Sequence, residues 1–148
     1  ASRGLGDVYK RQHVGWKGAL NGIIKSTTKK FNDLKSSNND LIAVIGPCIN
    51  KDNYEVKVDF FQKFFDQDKI NVFVFKRINV EIYKFDLRGF IINELSNLNV
   101  NNIDNIELPK FIKDIILNRD SLVKEAFQEF LQRGRLSSYL RLLARKKR

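Results

Sequence analysis

Leu41-Ile42-Ala43-Val44-Ile45-Gly46-Pro47-Cys48 is the stretch on which the fold turns. Five consecutive apolar residues, three of them β-branched, end abruptly at Gly46-Pro47. A short unbroken apolar run closed by turn residues is the pattern of a buried central strand. The loop Ser36-Ser37-Asn38-Asn39-Asp40 precedes it. Before that loop, Leu20, Ile23, Ile24, Thr27 and Phe31 recur at helical spacing, while Lys25, Lys29, Lys30 and Lys35 mostly take the other face. The spacing predicts one amphipathic helix over residues 17–34. Gly15 and Gly18, at its entrance, give the backbone room for a tight path.

Downstream of the strand, the segment INKDN reads as a turn. Val58, Phe61, Phe64 and Phe65 then repeat at helical spacing and predict a second helix. NVFVFK, residues 71–76, is rich in β-formers and is read as a strand, as is EIYKF, residues 81–85. Asp86 stands where a helix N-cap belongs, ahead of a face made by Leu87, Phe90, Ile91, Leu95 and Leu98. A short strand carrying Ile103 and Ile106 follows, and Pro109 marks a break. Residues 110–148 read as one or two helices with a basic end. This order gives a mixed α/β sandwich. Its expected central sheet takes in residues 41–45, 73–75, 82–85 and 103–106, with helices from near Lys17 and Leu87 packed on it.

Composition narrows the class. The 148 residues suit one domain, and 43% apolar content with 12 Phe supplies a core. The formal charge is +10, but seven basic residues lie at or beyond Arg133 and no acidic residue follows Glu129. The rest of the chain therefore carries +3, and the end sets the isoelectric point. A basic end attracts phosphate-bearing partners, but an ordinary solvated tail accounts for it better. The aromatics fall mostly on apolar faces and no nucleic-acid-binding motif is present, so nucleic acid is not the expected partner. Cys48 is the single cysteine, which excludes an intramolecular disulfide and fits a reducing compartment. No run reaches the roughly 20 apolar residues of a membrane span. Residues 1–12 show no period and are read as an adaptor-derived arm, apart from the fold. The sequence contains no Met and is expected to be a piece of a longer chain.

Few residues carry chemistry. There is no phosphate-binding P-loop, no GxGxxG, no CxxC and no nucleophile elbow. His13 is the only histidine, beside two glycines and the only tryptophan, Trp16. Neutral imidazole is a good ligand for zinc or copper, but a catalytic zinc takes three protein ligands. Spacing alone does not assemble such a set from His13 and Cys48. Asp86 is better explained as a helix cap than as an acid or base. Cys48 is better explained as a small residue at a strand end than as a nucleophile.

Three blocks together resemble one family. His13-Val14-Gly15-Trp16-Lys17-Gly18 is similar to the HAGWRG signature of the laccase-domain proteins, also called multicopper polyphenol oxidoreductases, peptidoglycan editing factors or purine nucleoside phosphorylases. Residues 43–49 with Tyr54-Glu55-Val56 resemble that family's strand–GPxI–turn–[YF]EV pattern. Phe85-Asp86-Leu87, with Asn93 and Leu95, resembles its DL…N..QL helix, and Asn102-Ile103 through Ile106 its next short strand. The resemblance covers residues 13–107. Lys17 departs from the usual Arg, keeping the charge but losing the planar fork. Beyond Pro109 the family's CTY…FFSYRR…GR segment is not recognisable, although Arg119-Asp120 and Gly134-Arg135-Leu136-Ser137 resemble remnants of it.

The resemblance implies a cytotoxic-necrotising-factor-like laccase-domain fold, here incomplete, over residues 13–108. The arm 1–12 precedes it and a divergent helical basic tail, 109–148, follows. It implies a cytoplasmic bacterial enzyme that phosphorolyses adenosine, inosine, guanosine or methylthioadenosine to base and pentose 1-phosphate, with adenosine deamination as a side activity. Copper-dependent polyphenol oxidation is one alternative, and a basic nucleic-acid-binding module, suggested by the charged end and not by the resemblance, is the other. The implied metal is zinc, or copper, on a His, Cys, His set of which only the last carries over, to His13. Trp16 and Lys17 are the implied substrate-binding residues. The partners are a purine nucleoside and phosphate, without a membrane.

Overall fold

The computed structural model describes residues 2–3, 7–46, 48–105 and 139–144. Two sheets share one apolar core. The first sheet has five strands: β1 (Ser2–Arg3), β2 (Asp7–His13), β3 (Leu41–Ile45), β7 (Asn102–Asn105) and β8 (Tyr139–Ala144), in the order β1-β2-β8-β3-β7. The second has three antiparallel strands: β4 (Glu55–Lys57), β5 (Phe75–Arg77) and β6 (Ile82–Phe85), in the order β4-β6-β5. Helices α1 (Trp16–Leu20), α2 (Ile23–Asp33), α3 (Val58–Gln67) and α4 (Leu87–Asn97) complete the described fold.

The run LIAVI forms β3 as expected, with Leu41, Ala43 and Ile45 fully buried. It pairs in parallel with β7 (Ala43 opposite Ile103) and antiparallel with β8 (Ala43 opposite Leu142). The core runs from these residues through Ile24 and Phe31 of α2 to Phe64 of α3, Phe85 of β6, and Phe90, Ile91 and Leu95 of α4. Thr27 and Thr28 are also buried on α2. Each returns its hydroxyl to the preceding turn, Thr27 to the Ile23 carbonyl at 2.7 Å and Thr28 to that of Lys25 at 2.9 Å, so neither leaves a polar orphan in the core.

Asp86 caps α4. Its Oδ1 accepts from the Gly89 amide at 2.9 Å, and its own amide donates to the Val74 carbonyl at 2.8 Å. Gly89 suits this contact, because a Cβ there would lie 2.5 Å from the Asp86 Oδ2. At the other end of the helix, the Asn38 amide donates to the Leu98 carbonyl at 2.7 Å.

Four local expectations are corrected. The single helix over 17–34 is two helices, broken at Asn21-Gly22, where Gly22 takes a left-handed conformation (φ 83°). Residues 71–76 are not one strand: a 3₁₀ turn, Lys69–Val74, precedes β5. Its start is fixed by Asp68, whose Oδ1 accepts from the Ile70 amide, and by buried Asn71, whose Nδ2 donates to the Phe64 carbonyl at 2.9 Å. The expected single sheet is divided, because β6 pairs with β4 on one side and β5 on the other, and neither β5 nor β6 pairs with β3 or β7. Tyr139–Ala144, within the stretch read as helix, is strand β8 between β2 and β3, where partners on both sides satisfy its backbone groups. Residues 2–3 and 7–13, set aside on sequence grounds, run as β1 and β2. Ile106, Pro109, Arg119-Asp120 and residues 134–137 lie outside the described residues.

Candidate functional site

The topology gathers the singled-out blocks at one end of the larger sheet. Strands β2 and β3 both run antiparallel to β8, so they are parallel to each other, and β7 is parallel to β3. His13 lies opposite Tyr139, and Ile45 lies opposite both Leu140 and Asn105. The carboxyl ends of β2, β3 and β7 therefore share one edge. From that edge issue Val14-Gly15-Trp16 on one side and Gly46 on the other. In sheets with parallel strands, ligands gather beyond this edge. An Arg88 guanidinium nitrogen donates to the Gly46 carbonyl at 2.9 Å, which ties the start of α4 to the end of β3.

Trp16 opens α1 and is half-buried. Fully buried Val14 anchors the chain just before it. The Trp16 indole packs on Phe60, with ring centroids 4.7 Å apart, and on Phe64 at 6.4 Å. Phe60, Lys63 and Phe64 lie on one face of α3, at spacings of three and four residues. Lys63 reaches the same indole, with its Nζ 5.4 Å from the ring centroid, and Lys17 Nζ stands 5.5 Å from it. Two ammonium groups thus share the electron-rich ring, an attraction of about 0.5–1 kcal/mol each at exposed positions. Both lysines are exposed, and neither has a carboxylate partner among the described residues. Tyr54, from the second block, packs edge-on against Phe85 at 5.3 Å, and burial pushes its phenol up from the usual value.

The three nominated residues are thus His13 at the end of β2, Trp16 at the start of α1, and Lys17 beside the Trp16 ring. Sequence reading missed Lys63 and Phe60, which come to Trp16 from more than 40 residues away and carry no local signal of that meeting. Asp86 has the capping role assigned to it. Cys48 is half-buried and free.

The sequence profile of the multi-copper polyphenol oxidoreductase laccase family matches residues 6–111. The chain belongs to this family. A purine nucleoside phosphorylase of Rickettsia conorii is 36% identical over 104 residues, covering 70% of this chain and 42% of that protein. One from Rickettsia prowazekii is 37% identical over 95 residues, 64% of this chain and 39% of its own length. One from Haemophilus influenzae is 29% identical over 93 residues, 62% of this chain and 37% of its own. The chain thus spans about two fifths of the length of these relatives. Two solved structures share the fold. A Neisseria meningitidis protein of the DUF152 family superposes with a TM-score of 0.61 at 21% identity, covering 91% of this chain and 50% of that one. The Bacillus licheniformis hypothetical protein YfiH gives 0.58 at 22% identity, covering 90% and 48%. The family resemblance and the mixed α/β laccase-domain fold are both borne out.

The family's description implies a metal. Among the described residues, no three His, Cys, Asp or Glu side chains gather to hold one. The sequence has one His and one Cys: His13 ends β2, and Cys48 lies beyond the end of β3. The donor set present does not fit a complete three-ligand site. No helix among the described residues is long and apolar enough to cross a membrane.

Proposed function

We propose that this chain forms part of a purine nucleoside phosphorylase, in which orthophosphate displaces the purine from C1′ of the nucleoside to leave free base and pentose 1-phosphate. The observation that carries this reading is the half-buried Trp16 ring at the carboxyl edge of the sheet, flanked by two lysines without carboxylate partners. An aromatic face suits a purine, and an ammonium suits phosphate. The relatives' shared name supports the same chemistry.

Trp16 and Lys17 are the proposed substrate contacts, and adenosine, inosine, guanosine and methylthioadenosine the proposed substrates, with adenosine deamination as a side activity. The proposed metal is zinc, with copper as the alternative, and His13 is the one donor this chain contributes to it. The other donors of a His, Cys, His set would come from residues outside these 148. A cytoplasmic setting agrees with the single free cysteine. The family's description favours a second reading, copper-dependent polyphenol oxidation. That reading asks for several imidazoles where the chain holds one.

The discriminating assay supplies inosine with and without phosphate to a protein of the relatives' length that contains this stretch. Hypoxanthine should appear only with phosphate, together with ribose 1-phosphate. Release independent of phosphate, or none under conditions where a verified relative turns over, rejects phosphorolysis.

A further inference from the structure

We infer that Lys63 is a second phosphate-binding cation, acting with Lys17 beside the Trp16 ring. The inference rests on the phosphorolysis reading and adds to it a residue from a separate helix. Three observations carry it. Lys63 has a carboxylate, Asp59, one helical turn back on α3, in the order that favours an i,i+4 ion pair. It makes no such pair, and leans instead over Trp16 at 5.4 Å. Lys17 approaches the same ring from α1 at 5.5 Å, so two like charges are held beside one aromatic group without a described counter-ion. Each ammonium is exposed and lacks a carboxylate partner among the described residues, so its donors are available to an anion. A doubly charged phosphate with several acceptor oxygens matches two ammonium groups, each with three rotatable donors. The second cation also bears on the departure at Lys17. A lone lysine lacks the bidentate fork of the arginine usual in the family, and a second ammonium supplies the missing pair of donors from a different helix.

Trp16 is the only tryptophan in the chain, so its emission reports on this site and on no other. The test titrates inorganic phosphate into the 148-residue protein at constant ionic strength, with chloride as the balancing salt, and follows that emission. A saturable change is expected as the ammonium groups turn from the ring to the anion. Lys63→Gln and Lys17→Gln should each weaken phosphate binding about tenfold, the lower range for a hydrogen bond to a charged group. Lys63→Arg should retain binding, and Lys29→Gln, an exposed lysine of α2, should leave it unchanged. Far-UV circular dichroism confirms that each variant is folded. No saturable response, or an unchanged affinity in folded Lys63→Gln, overturns the inference. The two readings fail separately. A longer protein that phosphorolyses inosine with the same KM for phosphate after Lys63→Gln removes Lys63 from the site and leaves phosphorolysis standing. Lysine-dependent phosphate binding without phosphorolysis does the reverse.

Discussion

Phe64→Ala should come close to unfolding this protein. The Phe64 side chain is fully buried. Its ring centroid lies 4.9 Å from Phe85, 5.2 Å from Phe60 and from Phe90, and 5.5 Å from Phe75, so it joins α3 to both neighbouring strands and to α4. Truncating a buried Phe costs about 3–5 kcal/mol. Each well-oriented aromatic pair adds about 0.5–1.5 kcal/mol beyond buried area, which places this site at the upper end. Against a total stability of about 5–15 kcal/mol, that loss is decisive. Urea unfolding followed by Trp16 emission measures it. With a slope of about 2 kcal/mol per molar, the midpoint should fall by about 2 M. Phe61→Ala is the internal control. Phe61 is only half-buried and lies flat on Tyr83 at 4.4 Å, so its loss should cost about 1–2 kcal/mol by the same reasoning. A Phe64→Ala midpoint within 0.5 M of the parent protein, or a Phe61→Ala loss as large, would refute the burial argument.

Three smaller perturbations follow from single contacts. Gly22→Ala forces a Cβ into the left-handed turn between α1 and α2 and should cost about 1–2 kcal/mol, read as a lower thermal midpoint; an unchanged midpoint would mean the turn is not held as described. Asp86→Ala removes the α4 cap and should cost about 1 kcal/mol in denaturant unfolding, whereas a neutral result would return Asp86 to consideration as a reactive carboxylate. Glu94 has its carboxyl pushed up, first by burial and then by Asp68, with Lys25 opposing. Its charged form is thus disfavoured in the folded protein, and the folded state binds the proton more tightly than the unfolded chain. The stability it contributes is present at low pH and lost as pH rises through the raised value. The stability of Glu94→Gln relative to the parent should therefore grow from the ordinary carboxylate range toward neutrality, and a pH-independent difference would contradict this.

The sequence announces those parts of the fold that local chemistry decides. LIAVI closed by Gly46-Pro47 could scarcely be anything but a strand, the Phe-rich face over 58–65 forms its helix, and Asp86 caps where its position says it should. Pairing is another matter. Nothing within residues 82–85 says that they join Glu55–Lys57 and not Leu41–Ile45, because partner choice is settled by contacts distant in sequence. Tyr139–Ala144 reads equally as a basic amphipathic helix until two strands stand on either side of it. Gly22 sits in an unbroken helical period, where a lone glycine is usually tolerated. At the candidate site, Trp16 and Lys17 are neighbours in one motif, whereas Lys63 reaches the same ring only through the packing of α3 on α1.

Zinc content and inosine turnover, measured together on this chain and on a protein of the relatives' length that contains it, test the central claim most directly. Metal sites lose affinity steeply when ligands are missing, and one imidazole with one distant thiol leaves coordination largely to water. The 148-residue chain should hold zinc only at background level and release no hypoxanthine, and His13→Ala should change neither. The longer protein should bind zinc stoichiometrically and release hypoxanthine only with phosphate, and His13→Ala should abolish both. Stoichiometric zinc with phosphate-dependent turnover in the 148-residue chain itself would contradict the account.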